Sequence, residues 1–180
     1  MVLLRQKVVL VGDGTVGKTA LTQMATSGGV AFPRNYLMTV GIDLASKEVP
    51  VGPDCTVELW LYDVSGQEVY RHMVSGFVEG LDWFVVVYDV TNKTSFESAG
   101  RWAELCRKQN PNARGVIVAN KVDLKAEVAQ SSAESLSKQL GVPHMAVSAL
   151  RYAGITELLK HIADETAKTY DAMIQRELKR

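Results

Sequence analysis

The sequence predicts an α/β fold built on a doubly wound, mostly parallel sheet. Three observations carry that prediction. Short apolar strands alternate with helix-like segments along the chain. Two of those strands, Trp83–Tyr88 and Gly115–Ala119, are continuously apolar, as expected of parallel strands covered on both faces. A phosphate-loop pattern, G-x-x-x-x-G-K-[ST], stands at Gly12–Thr19 between a strand and a helix.

Taken in order, Lys7–Val11 is a β-branched apolar run and reads as the first strand. The helix after the Gly12–Thr19 loop starts near Lys18 and continues through Ala20–Ala25. Residues from Ser27 to about Gly41 have turn composition and no helical period, so they read as a loop. Ile42–Val51 and Thr56–Asp63 read as strands joined by the turn Gly52-Pro53-Asp54, hence an antiparallel hairpin. Asp63–Gly80 is expected to be partly helical. After the strand Trp83–Tyr88, residues 94–109 place Phe96, Ala99, Trp102, Ala103 and Cys106 on one helical face. Gly115–Ala119 is a buried strand, and residues 131–140 suit a helix ended by Gly141. Val142–Val147 is the last strand and 154–178 the last helix.

The 180 residues fit one domain, 1–180, with room for a substantial core. Lys plus Arg equals Asp plus Glu at 20 each, which argues against a nucleic-acid groove or a strongly basic membrane surface. Cys55 and Cys106 lie far apart without metal spacing and read as free thiols of a reducing compartment, so a cytoplasmic setting is expected. His72, His144 and His161 show no ligand spacing and read as surface or capping residues. No charged lead with a following apolar run opens the chain, and no stretch approaches membrane-spanning length. The final residues carry no cysteine, so no direct lipid anchor is expected.

In a doubly wound sheet, ligands sit at the carboxyl ends of the strands, and the chemistry-bearing motifs fall there. In the Gly12–Thr19 loop, glycines let several backbone N–H groups approach one anion, and the following helix adds its positive dipole end. Gly14, Thr15, Val16, Gly17, Lys18, Thr19 and Ala20 are therefore expected to line a phosphate chain. Lys18 would reach the β- and γ-phosphates, and the Thr19 hydroxyl would bind Mg²⁺. After the third strand, Asp63-Val64-Ser65-Gly66-Gln67 offers Asp63 to Mg²⁺ through a water, the Gly66 N–H to a γ-phosphate, and Gln67 to hold an attacking water. Thr39 can close onto Mg²⁺ and the γ-phosphate. After the fifth strand, Asn120-Lys121-Val122-Asp123 offers a carboxylate that accepts from both N1–H and N2–H₂ of guanine, a pair that adenine lacks. Asn120 would tie loops together and the Lys121 stem would cover the base. Backbone N–H groups at Ser148 and Ala149 are placed to meet guanine O6, and Phe32 to pack its ring edge on the base.

Together these motifs resemble the Ras superfamily of small GTPases, within it the Rab branch, over nearly the whole chain. The Rab-like marks are Tyr36–Asp43, Gly66-Gln67-Glu68, Tyr88-Asp89-Val90-Thr91 with Ser95-Phe96, and Trp102. Within that branch the chain is most similar to the Rab-like subunit of intraflagellar transport complex B, on Met1-Val2, Gly17–Leu21 and Met38–Leu44. The resemblance implies a P-loop GTPase fold with a six-stranded sheet, one strand antiparallel at its edge, and five helices. It implies two loops, around 30–43 and 63–79, ordered by the γ-phosphate and Mg²⁺. It implies GTP/GDP and Mg²⁺ as ligands, an activating protein and an exchange factor. It also implies a small β-sandwich partner alongside other complex B proteins, and a ciliary or flagellar setting.

Three departures stand out. Ser65 replaces the usual alanine, Leu150 replaces the lysine that usually follows Ser148-Ala149, and no prenyl cysteine is present. GTPases with a built-in arginine carry it three residues before the Thr39 position, where this chain has Tyr36. Slow intrinsic turnover is therefore expected, on the order of 10⁻³ s⁻¹ or less. Arg34 and Arg71 read as solvated loop charges. Two alternatives stay open: a constitutive, nucleotide-bound structural subunit, and a conventional vesicle-trafficking Rab. The last helix carries a long apolar stripe, whose end at Tyr170, Met173, Ile174 and Leu178 is a candidate docking face.

Overall fold

A computed structural model describes residues 2–33, 35, 39–66 and 79–179. Six strands and, among the described residues, four helices follow the expected order. They are β1 (Val2–Val11), α1 (Lys18–Ser27), β2 (Ile42–Pro50), β3 (Cys55–Val64) and β4 (Trp83–Asp89), then α2 (Lys93–Gln109), β5 (Arg114–Asn120), α3 (Gln130–Leu140), β6 (His144–Ala146) and α4 (Ile155–Glu177). The expected partly helical segment falls mostly on residues 67–78, outside the described residues, as do Arg34, Tyr36, Gln67, Arg71 and His72.

The sheet order is β2-β3-β1-β4-β5-β6. Only β2–β3 is antiparallel; every other pair is parallel. β1 lies between β3 and β4, so the chain winds to one side of it and then to the other. The crevice at the carboxyl end of β1 is the switch point, and the Gly12–Thr19 loop leaves the sheet there.

Two strands differ from expectation by more than one residue at an end, for one reason. β1 begins at Val2 rather than Lys7, because Val2–Lys7 pairs with Cys55–Trp60. Ladder pairing, not local apolarity, extends the strand through Arg5 and Gln6. Conversely β6 is three residues, shorter than Val142–Val147, because it pairs only with Ile117–Ala119 at an open edge.

Strand alternation divides the core into two layers. Val8 and Leu10 of β1, with Trp83, Val85 and Val87 of β4, face α1 and α4. Val9 and Val11, with Phe84, Val86 and Tyr88, face α2 and α3. The helical face read from residues 94–109 is used: Ala99, Trp102, Ala103 and Cys106 are buried, and Phe96 packs edge-on to Tyr88. Gly141 ends α3 in the left-handed conformation at φ 62°. Cys55 and Cys106 are free thiols, and burial pushes Cys106 up to about 12, which keeps it protonated and unreactive. His144 is not a plain surface residue. It is half-buried, its Nε2 lies 3.1 Å from the Tyr88 hydroxyl, and burial lowers its pKa. Among the described residues no helix is long and apolar enough to cross a membrane.

Candidate nucleotide-binding site

The carboxyl ends of β1, β3 and β5, with the loop after β6, enclose a cleft of about 350 Å³. That is within the range of small-molecule sites. Of the residues read from sequence, Gly14, Thr15, Gly17, Lys18, Thr19, Ala20, Phe32, Thr39, Gly66, Asn120, Lys121, Asp123, Ala149 and Leu150 line it. Gln67 lies outside the described residues. Val16 does not line the cleft; its side chain is buried in the core on the α1 side of the sheet. Ser148 sits behind the wall, 1% exposed.

The loop conformation has identifiable causes. Gly12 and Gly17 have φ of 142° and 97°, and Thr15 itself is left-handed at 64°. A side chain at Gly12 would collide with the Val87 carbonyl, and one at Gly17 with the Asn120 amide. Gly66 packs directly on the backbone of Gly12 and Asp13, so even a methyl group there would displace the loop. At Gly14, by contrast, an added Cβ meets nothing within 4 Å.

Lys18 is 6% exposed, and its Nζ donates to the carbonyls of Gly12 and Asp13, each at 2.8 Å. An ammonium has three N–H donors, so one remains for a ligand. Burial pulls Lys18 down to about 8, opposed by the charges of Asp63 and Asp13. A bound anion would restore its ordinary basicity.

Opposite Lys18, three oxygen-bearing side chains from three elements converge. Thr19 Oγ1 donates to Asp63 Oδ2 at 2.5 Å and lies 2.9 Å from Thr39 Oγ1. Thr39 Oγ1 is 3.4 Å from the same carboxylate oxygen. Burial raises the Asp63 carboxyl above its ordinary range, with Thr19, Lys18 and Thr39 opposing. Asp63 Oδ1 is buried with no partner among the described residues. Two hydroxyls and one carboxylate form a hard, all-oxygen set with an unsatisfied acceptor. That donor chemistry fits Mg²⁺, which binds few protein oxygens and takes its remaining ligands from phosphates and water. Ser65, the departure beside it, adds a buried hydroxyl with no partner among the described residues.

At the base end, Asn120 is 1% exposed and spans two loops. Its Nδ2 donates to the Val16 carbonyl at 2.9 Å, and its Oδ1 accepts from the Ala149 N–H at 3.1 Å. Lys121, left-handed at φ 66°, stretches from the Thr15 carbonyl at 3.0 Å to the Asp89 carboxylate at 2.5 Å. Asp123 accepts from the Ser148 hydroxyl at 2.5 Å, and that hydroxyl accepts from the Arg151 N–H. Asp123 is thus held in one orientation while remaining exposed at the cleft.

One expected role needs correction. The N–H groups of Ser148 and Ala149 do not face the cleft as unpaired donors. Ser148 N–H donates to the Ala153 carbonyl at 3.0 Å, and Ala149 N–H to Asn120. Leu150, half-exposed, stands at the rim where a lysine stem was replaced.

Gln23, Pro33, Asn35, Val64, Ser65 and Leu124 also line the cleft without having been singled out as site residues. Leu124 directly follows Asp123, so the motif's own spacing signalled it. Gln23 is one helical turn beyond Thr19, on the same face of α1.

The Ras family model matches residues 7–168. The "Intraflagellar transport protein 27 homolog" of Trypanosoma brucei brucei is 44% identical over 177 residues, covering 97% of each chain. The human "Intraflagellar transport protein 27 homolog" is 43% identical over 78% of this chain and 77% of its own. The "Ypt/Rab-type GTPase YPT7" of Saccharomyces cerevisiae is 34% identical over 87% of this chain and 79% of its own. The phosphate loop, the paired threonines at Asp63 and the Asn120–Asp123 motif all fall inside the matched span. The chain therefore belongs to the Ras family of small GTPases, on its Rab-like branch.

Proposed function

We propose that this chain binds GTP and GDP with Mg²⁺, hydrolyses GTP slowly, and serves intraflagellar transport as a Rab-like switch. One observation carries the reading: Lys18, Thr19, Thr39 and the oriented carboxylate of Asp123 line a single cleft, and the buried Asp63 carboxylate stands directly behind the two threonines, hydrogen-bonded to both. The two transport relatives, similar over most of their length, supply the biological setting.

In this reading Asp123 accepts from the guanine N1–H and N2–H₂ groups, and Lys121 and Leu150 flank the base. The Lys18 ammonium and the N–H groups of the loop hold the β- and γ-phosphates. Thr19, Thr39 and Asp63 hold Mg²⁺, which when bound neutralises charge on the transferring phosphoryl group. Gln67 orients the attacking water, and the Gly66 N–H meets the γ-phosphate. Tyr36 occupies the position of a built-in arginine, so fast turnover needs an arginine from an activating protein.

A single-turnover assay tests the hydrolytic part. Gln67→Leu is expected to slow GTP cleavage at least about tenfold, with GTP affinity unchanged. Equal rates would remove Gln67 from the mechanism.

A second reading is a constitutive subunit whose nucleotide mainly supports a complex. It is favoured by α4, where Ile155, Leu158, Leu159, Ile162 and Ala163 are buried while Met173 and Leu178 are 60% and 76% exposed. With Tyr170 and Ile174 these form an apolar helix end that its own sheet does not cover. We infer that this end docks the small β-sandwich subunit of complex B. Met173→Asp/Ile174→Asp is expected to weaken that association at least about 100-fold, measured by titration with the β-sandwich subunit in GDP and in a GTP analogue. Normal binding by the variant would refute the docking face. A large difference between the nucleotides would favour the switch over the constitutive subunit.

A further inference from the structure

The indole of Trp102, on α2 and so outside the phosphate loop's own strand and helix, reaches that loop. Its Nε1–H donates to Asp13 Oδ1 at 2.8 Å, across 89 residues. Trp102 is 2% exposed, packed in the core layer between the sheet and α2. The indole position is therefore fixed by core packing rather than by the bond itself.

Asp13 is where two parts of the site meet. Its carbonyl accepts from the Lys18 ammonium at 2.8 Å. Its backbone is the surface on which Gly66 packs, so closely that a Cβ at 66 would overlap it. Asp13 sits between two glycines, Gly12 and Gly14, the first at φ 142°. Glycine-flanked peptide units have the widest conformational freedom in the chain. The indole bond is the side-chain anchor of this peptide unit, added to the Lys18 bond and the Gly66 contact on its backbone.

From this geometry we propose that Trp102 is a positioning residue for nucleotide retention. Its indole N–H clamps Asp13, and Asp13 in turn sets where the Lys18 ammonium and the Gly66 backbone stand around the phosphates. The inference rests on the guanine-nucleotide reading of the cleft. It adds that α2 controls how long the nucleotide stays.

The test must separate the hydrogen bond from two other effects. Any neutral residue at 13 removes a negative charge near the phosphates, and any change at 102 disturbs the core. Asp13→Asn keeps an acceptor at Oδ1 and loses the charge. Asp13→Ala loses both. The ratio of their nucleotide dissociation rates therefore reports the bond alone. Dissociation of a fluorescent GDP analogue is expected to be about 5–10-fold faster from Asp13→Ala than from Asp13→Asn, as a hydrogen bond worth about 1 kcal/mol implies. In a Trp102→Phe background, which retains a ring but no donor, that ratio is expected to fall below about twofold.

Equal rates for the two position-13 variants, or a ratio that survives Trp102→Phe, would overturn the clamp. If Trp102→Phe does not fold, the position-13 ratio is read against Trp102→His, which keeps a ring N–H, and failure of that comparison to show the 5–10-fold effect overturns the clamp as well. If the unmodified chain retains no guanine nucleotide at all, the nucleotide reading falls and the clamp with it. A chain that binds GDP normally but shows no ratio defeats the clamp alone.

Discussion

Replacing Asp123 by asparagine is expected to cut GDP affinity by about 10²–10³-fold while leaving the fold intact. The physical reason is the match of donors and acceptors. Guanine presents two N–H donors side by side, and a carboxylate offers two acceptors in the same spacing. Asparagine turns one acceptor into a donor, which then faces a donor. The fold is spared because Asp123 is exposed at the cleft. Among the described residues its side chain accepts from the Ser148 hydroxyl, which an amide oxygen also does. A nucleotide with a carbonyl in place of the guanine 2-amino group accepts from the new amide, so xanthosine diphosphate is expected to gain affinity as GDP loses it. Calorimetric titration with both nucleotides, beside a thermal melt, checks the exchange. Unchanged GDP affinity would remove Asp123 from base recognition.

Asn120→Ala is expected to act differently, on stability first and on binding through it. Asn120 is buried between the phosphate loop and the loop after β6, and its two ends are both committed inside the protein. Truncation strands the Val16 carbonyl and the Ala149 N–H, whose bonds to Asn120 are both buried. Unsatisfied buried groups of this kind cost about 1–3 kcal/mol each, so a total of about 2–4 kcal/mol is expected. In a protein of this size that is a fall of roughly 5–15 °C in melting temperature, measured without nucleotide. Saturating GDP should recover part of it, since a ligand that binds only the folded state raises its stability. A shift under about 1 °C in the nucleotide-free protein would show that these two bonds do not hold the loops together.

The contrast between these neighbours shows what sequence can convey. Asp123 and Asn120 belong to one four-residue motif, and both were legible as site residues. Only the folded chain separates their tasks: one side chain is presented to the cleft, the other is consumed by the protein. Ser148 and Ala149 make the same point in reverse. Their position after the last strand suggested ligand donors, yet the turn back to Ala153 and the Asn120 amide take both N–H groups. Local sequence places a residue near a site, but the remaining hydrogen-bond partners come from distant segments.

By itself the sequence determined the order of elements, the phosphate loop, the oxygen-donor positions Thr19, Thr39 and Asp63, and the carboxylate of Asp123 that is proposed to select the base. These are legible because each depends on a few adjacent residues: glycines that permit one loop shape, apolar periods of two or 3.6, and a carboxylate at a strand end. The tertiary structure alone decided the strand lengths, the sheet order that splits at β1, and the pairing of Trp102 with Asp13. It also decided which polar groups remain available to a ligand. Those outcomes depend on contacts tens to more than a hundred residues apart, such as Asn120 with Val16 at a separation of 104. Their geometry is set by crossover and packing of whole elements, and no local pattern encodes it.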